Sequence, residues 1–351
     1  MSLASLGWDS IFAASFETHA RAGLIPARVA ADLGPLFRLL TETGEALGEP
    51  SGRLRHEACS RADLPAVGDW VVAGAQPEGR AVIHAVLPRR TAFVRKAAGK
   101  DAQPQVVAAN VDTVFLVCGL DGDFNPRRIE RALLLAWESG ATPVVVLNKA
   151  DLCDDLDARL HDTASLGAPV VVVSAAEGRG LHALAAWLVP GRTVALLGSS
   201  GVGKSTLANR LLGDERQATR AVRAGDDRGR HTTTRRELFP LPCGALLLDT
   251  PGLREFALWG DEAGLRAAFD DVDALARDCA FSDCSHASEP RCAVRAAVEA
   301  GRLPAERLES WFKLQAELRS LAVRQDLGAQ ADERRRWKSI HKAARRHRPR
   351  E

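Results

Sequence analysis

The sequence predicts a multidomain chain: a small N-terminal β-barrel, a central α/β domain of the phosphate-loop class with its motifs in circularly permuted order, and a C-terminal, mainly helical module built around a metal cluster. Three observations carry this prediction. A glycine-rich loop starting at Gly198 lies between a buried strand and an amphipathic helix. The motif Asn148-Lys149-Ala150-Asp151, which ordinarily follows such a loop, precedes it here. Three cysteines and a histidine fall within residues 279–292.

The 351 residues are enough for two or three domains with sizeable cores. Residues 1–26, among them Leu6, Gly7, Trp8, Ile11 and Phe12, form an N-terminal extension with no assignable pattern. Over 27–95, short alternating segments at 36–41, 67–72 and 80–87 are separated by Gly44, Pro50-Ser51-Gly52 and Pro77-Glu78-Gly79. Short strands between turn signals point to a small barrel, and the OB-fold is the best-known barrel that grips single-stranded or looped RNA. Residues 96–110 read as a linker, polar through 105.

The central domain spans 111–258, with a strand at 112–117, a helix at 127–138, strands at 143–147 and 169–173, and a helix at 181–188. The apolar strand 194–197 then runs into Gly198-Ser199-Ser200-Gly201-Val202-Gly203-Lys204-Ser205-Thr206. Strand, glycine turn and helix start are the context that the pattern G-x-x-x-x-G-K-[ST] requires. The glycines let backbone N–H groups wrap phosphates at a helix N-terminus. Lys204 is placed to reach the β- and γ-phosphates, and the Ser205 hydroxyl to bind Mg²⁺. At this step ATP and GTP are both open.

The base is decided by residues 148–151. The Asp151 carboxylate accepts from the N1–H and N2 amine of guanine, a donor pair that adenine lacks. The tetrapeptide alone also fits a plain surface turn after a strand. The next strand, however, ends in Ser174-Ala175-Ala176, the small-residue loop that backs guanine, and two base-site signals on consecutive strands favour GTP. Downstream come Gly229-Arg230-His231-Thr232-Thr233-Thr234 and a strand ending in Asp249-Thr250-Pro251-Gly252. Thr233, with Thr232 second, is the candidate Mg²⁺ and γ-phosphate ligand; Asp249 is the acid behind the metal, and the Gly252 N–H faces the γ-phosphate. The next position, often a glutamine that orients water, is Leu253, which leaves His231 as the candidate catalytic group.

Cys279, Cys284, His286 and Cys292 have the ligand types of a closed tetrahedral zinc site, one structural ion per chain. Seven cysteines, an odd number, argue against a disulfide framework. Cys118 and Cys243 read as packing cysteines, while Cys59 and Cys153 carry no signal. The module 259–351 ends in the basic tail 334–350, with nine Lys or Arg and no acid, which favours an RNA contact to which Trp337 adds a stacking surface.

The permuted order, the Gly229-to-Thr234 segment and the cysteine cluster together closely resemble the bacterial ribosome small-subunit-dependent GTPase A family, RsgA, also called YjeQ or YloQ. The resemblance runs from about Ala27 to the C-terminus. It implies an OB-fold, a permuted GTPase domain and a zinc domain acting together on the maturing 30S subunit and its 16S rRNA. The expected activity is hydrolysis of GTP, with Mg²⁺, in a bind-and-release cycle. The alternatives are a GTP-responsive RNA-binding checkpoint whose hydrolysis is incidental, and a phosphate-loop kinase or ATPase, which Asp151 disfavours.

A net charge of only +2, from 47 Lys and Arg against 45 Asp and Glu, requires any nucleic-acid surface to be local. No apolar run approaches the ~18 residues of a membrane span, and no signal-peptide pattern opens the chain. The expectation is a cytoplasmic protein, monomeric when free, without a membrane partner.

Overall fold

In a computed structural model of the full chain, the residues described are 2–19, 23–75, 80–96, 104–122, 124–164, 166–213, 236–249, 265–266, 269–305, 307–316 and 319. They fall into two compact units, one from the N-terminus through Asp249 and one over residues 265–319.

The first unit opens with a 3-10 turn, Ala4–Leu6, and helix α1, Ser10–Glu17, capped by the Asp9 carboxylate, which accepts from the N–H groups of Ile11 and Phe12. This stretch is part of the core and no mere extension. Leu6 and Phe12 are buried, and the Trp8 ring meets Trp70 edge-on at 4.6 Å. Phe12 and Phe16 share one face of α1 and Trp8, just before the helix, packs its ring against both, a cluster that only the facing barrel wall turns into a core.

The barrel comprises β1 (Leu24–Asp32), β2 (Phe37–Thr41), β3 (Gly44–Pro50), β4 (Trp70–Ala75) and β5 (Arg80–Val86), with the short helix α2 (Gly52–Glu57) after β3. The order β1-β2-β3-β5-β4 closes through a β4–β1 pairing in which Leu24 faces Gly74 and Arg28 faces Trp70. Closure removes the sheet edges and wraps Val29, Leu39, Val71 and Ile83 into the interior.

Residues 96–110 are not a linker throughout. β6 (Ala92–Lys96) pairs antiparallel with β7 (Pro104–Ala109), and Val106 to Ala109 are buried. The polar beginning of that stretch concealed the Val-Val-Ala-Ala run that carries the strand.

The α/β part holds β8 (Thr113–Gly119), α3 (Pro126–Glu138), β9 (Thr142–Asn148), α4 (Leu156–Thr163), β10 (Val170–Val172), β11 (Thr193–Leu197), α5 (Lys204–Leu212), β12 (Glu237–Pro240) and β13 (Leu246–Asp249). The segment 181–186 winds as 3-10, not as the expected α-helix. In space the strands run β10-β9-β8-β11-β13-β12, all parallel except β12. The chain therefore builds one wing first, β8 to β10, and the other afterwards, β11 to β13. Spatial order is that of an ordinary doubly wound sheet; only the point at which the chain enters it differs. Phe115 and Val117 pack on one face with Leu207 of α5, Val114 and Leu116 on the other with Ile129 and Leu133 of α3. Burial on both faces explains why these strands read as unbroken apolar runs.

β12 joins the sheet to the barrel through Ala31↔Glu237, beside an Arg38–Glu237 ion pair. Deeper in this junction Arg28 is wholly buried. Its Nε donates to Gly68 O at 3.1 Å, and Nη2 donates to Asn110 O at 3.1 Å and Thr193 Oγ1 at 2.9 Å. Burial pushes its guanidinium down to about 10.

The second unit carries α6 (Asp270–Ala276), α7 (Ala293–Glu299) and a helical stretch over 307–316. Arg307 donates from Nε and Nη2 to the Asp271 carboxylate, both at 3.1 Å, and its guanidinium lies over the Phe269 ring.

Candidate nucleotide pocket and metal cluster

β11 is flanked by β8 and β13, the place where the strand order reverses, and the crevice at the carboxyl ends of these strands is where such sheets take ligands. β11 runs into Gly198, whose φ of 151° and closeness to Val117 exclude a side chain: a Cβ there would stand 2.1 Å from the Val117 carbonyl oxygen. The loop ends at Gly203, φ 94°, which starts α5; a Cβ there would meet Asn148 Nδ2 at 2.3 Å. Ser199, Ser200, Gly201 and Val202 lie between, and Ser205 is exposed at the head of α5, followed by Thr206 in the same turn. Lys204 folds over the loop, donating to Gly198 O at 2.7 Å and Ser199 O at 2.5 Å. A phosphate in the loop would offer that ammonium stronger, charged acceptors.

Asn148, at the end of β9, ties the two halves of the pocket together. Its Nδ2 donates to Val202 O at 2.8 Å and its Oδ1 accepts from Ala175 N at 2.9 Å. Lys149 takes a left-handed conformation, φ 64°, and its ammonium pairs with Asp121, in the segment after β8. Ala150 and Asp151 form the following 3-10 turn. Asp151 Oδ1 accepts from Ser174 Oγ at 2.5 Å, a hydroxyl that holds the carboxyl below the usual carboxylate range. Ser174, Ala175 and Ala176 thus stand beside residues 148–151, as their places on consecutive strands require. Asp249 ends β13, the neighbour of β11. His231, Thr232, Thr233 and Gly252 lie outside the described residues.

Three residues at this pocket were not found by reading the sequence. Arg210 of α5 donates to Ala175 O at 3.0 Å and Ala176 O at 2.6 Å, so the helix behind the phosphate loop also holds the loop behind the base. Arg128 of α3 donates to Ser199 Oγ at 3.1 Å. Asp121 is the third. A carboxylate just past a buried parallel strand was a usable signal for Asp121; no local pattern marks either arginine.

In the second unit, Cys279, Cys284, His286 and Cys292 bring their ligand atoms within 4.8 Å of one another. Cys279 Sγ lies 3.9 Å from Cys292 Sγ, and His286 Nδ1 lies 3.6 Å and 3.5 Å from these two sulfurs. Tetrahedral bonds of about 2.3 Å to sulfur and 2.1 Å to nitrogen require edges of about 3.8 Å and 3.6 Å, so the cluster fits a metal ion. Desolvation pushes the Cys284 thiol up to about 11 and holds the His286 imidazole below its ordinary value. Desolvation acts on Cys279 too, but the N–H groups of Val294 and Ala293 hold its thiol below the ordinary value, and a bound dication would favour the thiolate form of all three cysteines. His286 and Arg291 adopt positive φ, and the Trp311 ring lies 5.4 Å from the His286 ring. Among the other cysteines, Cys118 is half-buried in β8, whereas Cys243 is exposed, so its reading as a packing residue was wrong: the turn preceding β13 leaves it on the surface.

The RsgA GTPase family model matches residues 86–259. A small ribosomal subunit biogenesis GTPase RsgA from Opitutus terrae is 53% identical, the match covering 98% of this chain and 97% of that protein. Its counterpart from Syntrophotalea carbinolica is 48% identical over 99% and 98%. Among solved structures, YjeQ from Thermotoga maritima superposes with a TM-score of 0.65 at 28% identity, covering 84% of this chain and 98% of that one. YloQ, described as a circularly permuted GTPase, has a likeness of fold, with a TM-score of 0.63 at 23% identity over 86% and 97%.

Proposed function

This chain belongs to the RsgA GTPase family and is a GTP hydrolase, and from that premise we propose that it works on the small ribosomal subunit, binding 16S rRNA with GTP and leaving after hydrolysis, late in 30S maturation. The relatives' names speak for the subunit; the pocket speaks for the nucleotide. The observation that carries the reading is Asn148, which holds Val202 of the phosphate loop and Ala175 of the base loop at once and so sets Asp151 at a fixed reach from the phosphates.

In this reading Asp151 accepts from guanine, with Lys149, Ala150 and the loop 174–176 around the base. Residues 198–206 hold the phosphates, and Lys204 leaves its carbonyls for them. Ser205 and Thr233 would hold Mg²⁺, with Asp249 behind them, and the bound ion would supply countercharge to the phosphates. The Gly252 N–H senses the γ-phosphate. His231 orients the attacking water, a role for which its sequence position, two residues before Thr233, is the support. Catalysis here is positioning and electrostatics, which suits an enzyme that waits for a partner to complete its site.

Zinc is the ion that the Cys3His set selects, because soft thiolates with one imidazole and no open position describe a structural zinc site. The barrel at 27–95 and the tail at 334–350 supply the RNA contacts, residues 111–258 form the GTPase domain, and residues 259–351 form the zinc module. The protein is cytoplasmic and monomeric when free; among the described residues no helix is long and apolar enough to cross a membrane.

The test is steady-state hydrolysis of GTP and ATP with and without 30S subunits. The expected result is slow GTP turnover alone, strong stimulation by 30S, and no ATP turnover. Absence of stimulation refutes the ribosomal coupling, and equal use of ATP refutes the base assignment.

A further inference from the structure

Away from the nucleotide pocket, a cavity of about 300 Å³ opens against the barrel, with Asp32, Phe37, Arg61, Val107, Gln105 and Arg236 among its lining residues. Its polar side chains are two arginines, Arg61 and Arg236, one carboxylate, Asp32, and one amide, Gln105. Neither Arg61 nor Arg236 has a hydrogen-bond or ion-pair partner among the described residues. Arg236 is half-buried, and it feels the like charge of a second guanidinium, Arg95, which lies outside the cavity lining. Arg95 donates through Nη2 to Gln105 Oε1 at 3.2 Å, yet its own Nε is buried without an acceptor. The acid in the lining, Asp32, accepts from the Gly34 N–H at 2.9 Å and forms no ion pair with Arg236 among the described residues.

A half-buried guanidinium with no ion-pair partner among the described residues is costly. Burial first, then the field of Arg95, hold the Arg236 guanidinium below its ordinary value, with Asp32 acting the other way. That cost falls if an anion with several acceptor oxygens occupies the cavity between Arg61 and Arg236, and a phosphate matches the fork geometry of guanidinium groups.

We propose that the cavity lined by Arg61 and Arg236 is a phosphate site, filled either by a backbone phosphate of bound RNA or by a free phosphate ion. The site is tied to the nucleotide pocket by one strand. Arg236 immediately precedes β12, and Glu237 of β12 pairs with Ala31 of the barrel on one side and with Asp249 of β13 on the other. A phosphate gripped by Arg236 therefore acts on the strand next to the acid assigned to the metal. This link rests on the nucleotide reading above; the site itself does not.

The experiment uses the full chain with the nucleotide pocket saturated by a non-hydrolysable GTP analogue, so that added phosphate cannot report on residues 198–206. Calorimetric titration is run with inorganic phosphate in one arm and a uridine decanucleotide in the other. Proteins compared are the wild type, Arg236→Gln, Arg61→Gln and, as a control, Arg53→Gln, which alters an exposed arginine of α2 paired with Glu57. The two cavity variants should each lose roughly tenfold in affinity for at least one ligand, the scale of a charged hydrogen bond, and Arg53→Gln should lose none. A loss confined to the decanucleotide, with a salt slope flatter by about one, assigns the site to an RNA phosphate. A loss seen with inorganic phosphate assigns it to a free ion as well. Thermal unfolding of each variant separates misfolding from loss of the site, and Arg61→Gln, being on the surface, keeps the test open if Arg236→Gln unfolds. Equal binding by wild type and both cavity variants, or no binding of either ligand by the wild type, overturns the proposal whether or not GTP hydrolysis proceeds.

Discussion

Asn148 is the side chain whose loss both halves of the nucleotide pocket should register. Replacing it with alanine removes one donor and one acceptor at a residue only 2% exposed, leaving Val202 O and Ala175 N–H without partners. An orphaned buried group costs about 1–3 kcal/mol, so two at the rim of a crevice that water can reach should cost about 2–4 kcal/mol together. At about 1.4 kcal/mol per decade, that is roughly 30- to 1,000-fold in nucleotide affinity if the whole cost falls on the bound state. Both bonds already exist without nucleotide, so part of it will appear instead as reduced stability of the free protein. The assay is therefore double: GDP affinity from association and dissociation of a fluorescent analogue, and the unfolding midpoint of the free chain. Asn148→Asp should do no better, because a carboxylate cannot donate to Val202 O and meets that carbonyl with like charge. If both measurements change by less than about 0.5 kcal/mol, the scatter of unconnected sites, the two loops are held by something other than this carboxamide and the argument fails.

Asp151→Asn should weaken GTP by about 10²-fold or more and favour xanthosine triphosphate, whose oxygen replaces the guanine amine; unchanged GTP affinity would remove Asp151 from the base site. Ser174→Ala should let the Asp151 carboxyl titrate at higher pH. The hydroxyl depresses that group in the folded state, so its stabilising contribution is present above the ordinary value of about 3.9 and is lost as pH falls through the depressed one, and the variant loses it earlier; carbon NMR of the carboxyl decides, and an unmoved titration contradicts the assignment. Arg210→Ala should speed GDP release roughly tenfold by freeing the Ala175 and Ala176 carbonyls, with Arg210→Lys partly restoring it, and identical release from all three proteins would leave Arg210 without a role. Cys292→Ser should abolish the zinc content and 30S binding but spare GTP affinity, because the cluster and the nucleotide pocket lie in separate units; elemental analysis that still finds one zinc per chain refutes the ligand set.

Much of the site was legible in the sequence because its chemistry is local. Residues 198–206 make their loop from three closely spaced glycines, 198, 201 and 203, residues 148–151 and 174–176 each follow or finish a strand, and the cysteine cluster closes within fourteen positions, 279–292. Backbone dihedrals and ligand type are properties of short segments, and a reader of one chain can see them. The permuted order was legible too, since it is a statement about sequence. What needed the tertiary structure were partnerships between segments far apart in the chain. Leu6 and Phe12 became core only because Trp70 stands opposite them, and residues 104–109 became a strand only because β6 was free to pair. Arg28, Arg128 and Arg210 carry no local mark at all: a guanidinium reads as surface charge until distant carbonyls and hydroxyls converge on it. The same holds for the sheet. Which strand lies at its centre is decided by long-range pairing, and that pairing restores in space the order that the permuted chain departs from in sequence.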